Sequence, residues 1–192
     1  MTHVVNHQVD LPEGTTSRRK LIASLLAGGA VAATAPFLAS QASAEGESGP
    51  STTAPPHRDA ADNGALNAAL VRESRMAATY ALAVAATSGD DKAALLLIHD
   101  HHVAYAQALK GYLATEAGAA SSQALATPSG SIAAIAGQMA TLEEETVTIH
   151  TNSLESLRGI NAASLVASII TVEARHVAAL NVIAGTSPIA AA

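Results

Sequence analysis

The chain has no cysteine and no tryptophan, and aromatic residues make up only 2% of its 192 positions. Without thiols, disulfides, thiolate metal sites and cysteine nucleophiles are all excluded. Charge is sparse as well: 14% of residues are Asp, Glu, Lys or Arg, and the net formal charge is -6. A chain of that sign, with no basic patch interleaved with aromatics, argues against nucleic acid as a partner. What is present is Ala, with Leu, Ile and Val behind it. Hydrophobic residues reach 49%, and an Ala-dominated composition favours helices over strands. The length suits one modest domain preceded by a non-structural N-terminus. A chain free of cysteine is compatible with an oxidising compartment.

Residues 1–44 do not read as part of a fold. A polar start leads into Thr16-Ser17-Arg18-Arg19-Lys20-Leu21-Ile22, then an Ala- and Gly-rich apolar run from Leu21 to Leu38, then Ala42-Ser43-Ala44. A basic segment, an apolar segment and a small-x-small site are the three parts of a signal peptide. The adjacent arginines resemble a twin-arginine export signal, with Leu21 where Phe is more common. The alternative is an uncleaved membrane anchor, because the run is near the length that spans a bilayer. Pro36, the small residues and the Ala-x-Ala ending favour cleavage after Ala44, which leaves no stable membrane span. The resemblance implies the twin-arginine machinery as an export partner and an extracytoplasmic destination, secreted or in the cell envelope. It also suits a metalloprotein, since this route carries folded proteins, often with a cofactor already inserted. Residues 45–61 are rich in Pro, Ser, Thr and Gly and read as a disordered linker, with His57 a solvated residue within it.

From Asp62 the pattern turns helical. The spacing predicts a first helix from about Gly64 to Thr87, capped by Asp62 or Asn63, with Leu66, Ala69, Leu70, Glu73, Met76, Ala77, Tyr80 and Val84 on one face. After Ser88-Gly89-Asp90, with Asp90 as a cap, a second helix runs from Asp91 to about Ala117. Its stripe is Leu95, Ile98, His99, His102, Ala106, Leu109 and Leu113. A third helix opens at Ser131 and continues to about Leu157. Asn161 caps a fourth that ends near Gly185, leaving 187–192 as a tail. Short turns make helices one and two a hairpin, and three and four another. The dozen or so residues from Gly118 to Gly130 exceed what a simple antiparallel return needs. At ~3.3 Å per residue they can run the length of a bundle. Two hairpins joined by a long crossover are therefore expected, with helices two and three parallel.

The most informative stretch is Val172-Glu173-Ala174-Arg175-His176. Glu173 and His176 share a helix face otherwise made of Val166, Ile169, Ile170, Val177, Leu180 and Ile183. A carboxylate in an apolar stripe needs compensation, and an inward-facing Glu-x-x-His pair is a ligand unit of dimetal carboxylate bundles. The other stripes add Glu73, the i, i+3 pair His99 and His102, and Glu143. The segments Arg72-Glu73-Ser74-Arg75-Met76-Ala77-Ala78-Thr79-Tyr80, Ile98-His99-Asp100-His101-His102-Val103-Ala104-Tyr105 and Leu142-Glu143-Glu144-Glu145-Thr146-Val147, with the fourth-helix stretch, carry a resemblance. Over residues 63 to about 186 the chain is similar to the ferritin-like superfamily, in particular small exported ferritin-like domain proteins of bacterial, actinobacterial type. The implied fold is an all-α, ferritin-like antiparallel four-helix bundle over residues 62–186.

The resemblance implies one Glu from the first helix, Glu-x-x-His from the second, one Glu from the third and Glu-x-x-His from the fourth. Glu73, His102, Glu143, Glu173 and His176 fall on that pattern. His99 stands where the pattern has Glu, and imidazole is a poor bridge between two metals. Three carboxylates and three imidazoles shift preference towards Fe, Mn, Zn or Cu. A mononuclear site, or an asymmetric dinuclear one bridged by Glu173 alone, is expected in place of ferroxidase iron storage. His150, on the same face as Glu143, reads as a satisfied core residue before a supporting group. His101 is expected on the helix flank, and Glu144 and Glu145 in solvent. Tyr80 and Tyr105 read as core packing, with lining of the site as the alternative. Arg75 and Arg175 point away from the glutamates two residues before them. Two functions stay open: a metal-binding protein that is redox-active towards oxygen or peroxide, and a non-catalytic or metal-free helical module of the cell envelope. No surface signal for cage assembly is visible, and homo-oligomerisation stays open.

Overall fold

Each of the four periodic segments forms one helix in the computed structural model, which describes residues 15–27 and 59–188. The bundle helices are α2 (Asn63–Ala85), α3 (Asp90–Leu113), α4 (Ile132–Leu154) and α5 (Ile160–Ala184), preceded by a shorter α1 (Thr15–Leu26). No strand occurs among the described residues. The Ala42–Ala44 motif, the linker up to residue 58 and residues 189–192 lie outside them.

The helix ends follow local chemistry, with instructive departures. Ser131 caps α4, its Oγ accepting the Ala134 N–H at 3.2 Å. Gly185 closes α5 in the left-handed region (φ 81°), and the Thr186 N–H reaches back to the Asn181 carbonyl at 2.8 Å. That is the glycine-terminated ending a helix needs to satisfy its last carbonyls. Asp90 and Asn161 were expected as caps, but Gly89 and Gly159 hold those positions. Asp90 sits instead in the first turn of α3, where a carboxylate favours the positive end of the helix dipole. α3 stops at Leu113, short of Ala117, because Ala114 takes a positive φ of 51°.

Asp62 also departs from expectation. It makes no side-chain cap to α2 and is 1% exposed. Its carboxylate crosses the end of the bundle and accepts the Arg158 and Gly159 N–H groups, both at 2.8 Å. One side chain thus ties the start of α2 to the α4–α5 turn. Asp62→Ala removes two charge-assisted bonds and should cost about 3 kcal/mol in urea unfolding. A loss below about 0.5 kcal/mol would show that the turn holds itself.

The connection between α3 and α4 can be followed by its bonds to α2. Asn67 Oδ1 accepts the Gly118 N–H at 2.6 Å, Arg75 Nε donates to the Gln123 carbonyl at 3.2 Å, and Thr79 Oγ1 accepts the Leu125 N–H at 2.9 Å. The segment therefore advances alongside α2, from Asn67 to Thr79, about 18 Å at 1.5 Å per residue. It delivers α4 to the end of the bundle where α3 began, which makes α3 and α4 parallel. Contacts between α2 and α4 agree in direction, since Glu73 meets His150 and Tyr80 meets Glu143. The expected pair of hairpins joined by a long crossover is the observed topology.

Packing divides the interior into three layers. One apolar cluster contains Met76, Tyr80, Leu95, Ile98, Ile135, Met139, Leu180 and Ile183. The other contains Leu66, Leu70, Leu109, Leu113, Leu165, Val166 and Ile169. Between them, at one depth on all four helices, lie Glu73, His101, His102, Glu143, His150, Glu173 and His176, all buried. Among the described residues, α5 is the one helix long and apolar enough to cross a membrane, but half of that window is buried inside the bundle. With Glu173 and His176 on its inner face, its apolarity belongs to packing.

α1 lies against α5 and α3, with Ile22 and Leu26 buried in the first cluster. Arg175 donates to the carbonyls of Ser24 (3.3 Å) and Ala27 (2.7 Å), capping the C-terminus of α1. Thr15–Leu26, within the segment read from sequence as an export leader, is thus helical and docked on the bundle.

Candidate metal centre

Each bundle helix delivers its polar residues to the same layer because its apolar stripe forces that face inward. Glu73 on α2, His102 on α3, Glu143 on α4, and Glu173 and His176 on α5 are all 0% exposed. Full burial of three carboxylates demands partners, since an unpaired one costs several kcal/mol. The partners are imidazoles. His102 spans two helices, with Nδ1 2.7 Å from Glu73 Oε2 and Nε2 3.0 Å from Glu143 Oε1. His150 Nε2 lies 2.7 Å from Glu73 Oε1 and 3.6 Å from Glu173 Oε1. His176 Nδ1 lies 3.3 Å from Glu143 Oε1, and its Nε2 is 2.8 Å from His101 Nδ1. The Tyr80 hydroxyl donates to Glu143 Oε1 at 2.5 Å, and its ring stacks on His102.

The electrostatics split these groups into charged and neutral members. Burial alone would raise the Glu73 carboxyl, but the charges of His102 and His150 and their hydrogen bonds outweigh it and hold it at about 2. Glu143 is likewise held far below the carboxylate range, by His102 and His176 against its own burial. Burial disfavours a charged His102, yet Glu143 and Glu73 outweigh it and push the imidazole up to about 10. Glu173 goes the other way: burial, then the negative charges of Glu73 and Glu143, raise it well above its ordinary value. Burial also lowers His176 against the pull of Glu143, and lowers His101 to about 4 with help from His176 and His102. At neutral pH the cluster therefore holds Glu73 and Glu143 as carboxylates and His102 as imidazolium, while Glu173 is pushed towards its neutral acid form.

This network is not closed. Both Glu173 oxygens, Glu143 Oε2 and His176 Nδ1 are buried with no hydrogen-bond partner. Native interiors leave few such atoms, and each asks for an explanation. Two groups of three offer one ligand atom each within 4.8 Å of one another: His102, Glu143 and His176, and Glu73, His150 and Glu173. Unpartnered oxygens and a bare imidazole nitrogen converging in a bundle core are the donors a transition ion takes up.

Residues 61–186 match the family model of the ferritin-like domain. The chain belongs to that family. No curated protein and no solved structure matches it. The ferritin-like match covers the four bundle helices and every residue of the polar layer.

Of the six ligands expected from sequence, the structure brings Glu73, His102, Glu143, Glu173 and His176 together and leaves His99 out. His99 is partly exposed and pairs with its neighbour Asp100 at 2.9 Å. Its side of α3 also carries Lys92, about two turns before it, and Lys110, about three turns after it, and faces solvent. His101, expected on the flank, is instead buried against α5 and stacked on His176 with ring centroids 5.1 Å apart. Its column carries Ala94, Tyr105, Ala108 and Tyr112, an apolar signal that the local sequence did contain. His150, read from sequence as a core residue before a supporting group, joins the cluster directly through Glu73 at 2.7 Å. Tyr80 touches the site directly, whereas Tyr105 packs on the His101 and His102 rings. Arg75 and Arg175 bond backbone carbonyls away from the glutamates, as their spacing implies.

Proposed function

We propose that this protein is an exported, metal-binding ferritin-like bundle whose core holds one or two transition ions. The observation that carries this reading is Glu173, a fully buried side chain whose two oxygens have no hydrogen-bond partner in the protein. Glu73, His102, Glu143, His150, Glu173 and His176 would hold the ions. A bound iron, manganese or copper ion would supply one-electron chemistry towards oxygen or peroxide, whereas zinc would not. The chain's own residues bury and orient the ligands: Tyr80 fixes one Glu143 oxygen, His101 fixes the outer nitrogen of His176, and the apolar clusters on both sides exclude bulk water. Export rests on the Arg18-Arg19 segment and the apolar run that follows it.

A metal-free hydrogen-bonded network is the second reading, favoured by the direct bonds of His102 and His150 to Glu73. It leaves both Glu173 oxygens without a hydrogen bond. Elemental mass spectrometry on protein purified without tags or chelators distinguishes the two, with one or two transition ions per chain expected. Glu173→Ala should lower the number of ions bound per chain while far-UV circular dichroism stays helical. Unchanged metal content in that variant, or no uptake by the wild type on titration, would remove this proposal.

A further inference from the structure

α1 turns one side to the bundle and the other to solvent. Ile22 and Leu26, one turn apart, are buried in the cluster that holds Leu95 and Ile98 of α3 and Val182 and Ile183 of α5. Leu21 and Leu25 pack beside them, while Lys20, Ala23, Ser24 and Ala27 are exposed. The end of α1 is held by the bundle as well. A helix leaves its last carbonyls unsatisfied, and α1 has no basic residue of its own in its last turn. Arg175 of α5 supplies the cation, donating to the Ser24 and Ala27 carbonyls at 3.3 and 2.7 Å and meeting the negative end of the helix dipole. A helix of 12 residues is marginal in water by itself. The order of α1 therefore comes from its contact with the bundle, through one apolar face and one guanidinium.

The same side chains have a second use. Leu21, Ile22, Leu25 and Leu26 open the apolar run of the leader, directly after Arg18, Arg19 and Lys20. A basic segment joined to an apolar face is drawn to anionic lipid and binds by burying that face at the acyl boundary. One set of side chains cannot be buried in both places. We propose that the α3–α5 face is a docking surface for the chain's own leader, and that it withholds Leu21, Ile22, Leu25 and Leu26 from anionic lipid until α1 is displaced. This rests on the export reading above and adds a latch that depends on folding. The surface exists only once α3 and α5 have packed and Arg175 is in place, so an unfolded chain offers its leader freely. A folded chain offers it only in the fraction of molecules in which α1 has opened, and lipid affinity is scaled by that fraction.

The test uses the full chain. Hydrogen exchange read by mass spectrometry should show the amides of residues 22–27 protected in the wild type. Arg175→Ala should speed their exchange at least about tenfold, the effect of losing a charge-assisted hydrogen bond. This variant leaves the leader sequence intact, and slow exchange in α2–α5 checks that its bundle is folded. Flotation with phosphatidylglycerol vesicles should show the variant binding about tenfold more tightly than the wild type, in step with the larger open fraction. Exchange of residues 22–27 at the rate of an unstructured chain in the wild type would overturn the docking, a readout that needs no variant to fold. Equal vesicle binding by a wild type with protected amides and by a variant with freed ones, both strong, would overturn the competition with lipid. Freed amides in Arg175→Ala with no vesicle binding by either chain would overturn the leader reading itself, and the proposal with it.

Discussion

His102→Ala lowers the stability of the metal-free protein by about 3–5 kcal/mol, the range for breaking a buried ion pair by removing one partner. His102 is the cation between two buried carboxylates, 2.7 Å from Glu73 and 3.0 Å from Glu143. Without it, Glu73 keeps only His150, and Glu143 keeps only Tyr80 and the more distant His176. The vacated ring also leaves a void beside Tyr80, which adds to the loss. His99→Ala, one turn away on the same helix, should change stability by no more than about 0.5 kcal/mol, because its Asp100 partner is a surface pair. Urea unfolding of the two variants side by side measures the contrast. Equal effects would mean that α3 is rotated relative to the arrangement described, and the polar layer would have to be redrawn.

That comparison also marks where the sequence stops being sufficient. The period of apolar residues placed four helices, and the length of the Gly118–Gly130 connection implied a crossover, because both are properties of one continuous stretch. Glu173 and His176 were legible for the same reason, as charged or polar groups inside an otherwise apolar stripe. His99 and His101 flank His102 at about 60° and about 100° on opposite sides of the helix. Periodicity along α3 admits either, and the choice belongs to α5, whose His176 meets the His101 side. The lysines at 92 and 110 pointed towards solvent for His99, but only when read as a column through it. His150 was correctly placed on the face of Glu143. Its partner Glu73 is 77 residues away on another helix, and no local pattern names such a partner.

The second large effect is on protons. In the metal-free state at neutral pH, His102 carries a proton because Glu143 and Glu73 raise it to about 10. Burial and its two anionic neighbours push Glu173 towards its protonated form as well. Ligands bind metals deprotonated, so full loading of the cluster should release protons, at least the one on His102, and affinity should climb with pH. Titration calorimetry in buffers of differing ionisation heat reads the number directly, and a heat independent of buffer would sink the assignment. The same two groups set the stability of the metal-free protein. A raised His102 contributes stability that is complete below about pH 6.5 and is lost as pH rises towards about 10. A raised Glu173 keeps a proton that the unfolded chain releases above about pH 4.5, so it opposes folding increasingly as pH rises. Glu73 and Glu143, both lowered, contribute fully above about pH 4.5 and no longer change there. The lowered His101 and His176 oppose folding only below about pH 6.5. Between about pH 6.5 and 9, then, His102 is still shifting the balance downward, and the raised Glu173 acts in the same direction. The limit is about 1.4 kcal/mol per pH unit for each group. Thermal scans should show the metal-free midpoint falling across this window, while a saturating metal, bound more tightly at each step, reverses the trend. A metal-free midpoint that held or rose from pH 6.5 to 9 would mean that His102 is neutral and that the core carboxylates are compensated in some other way.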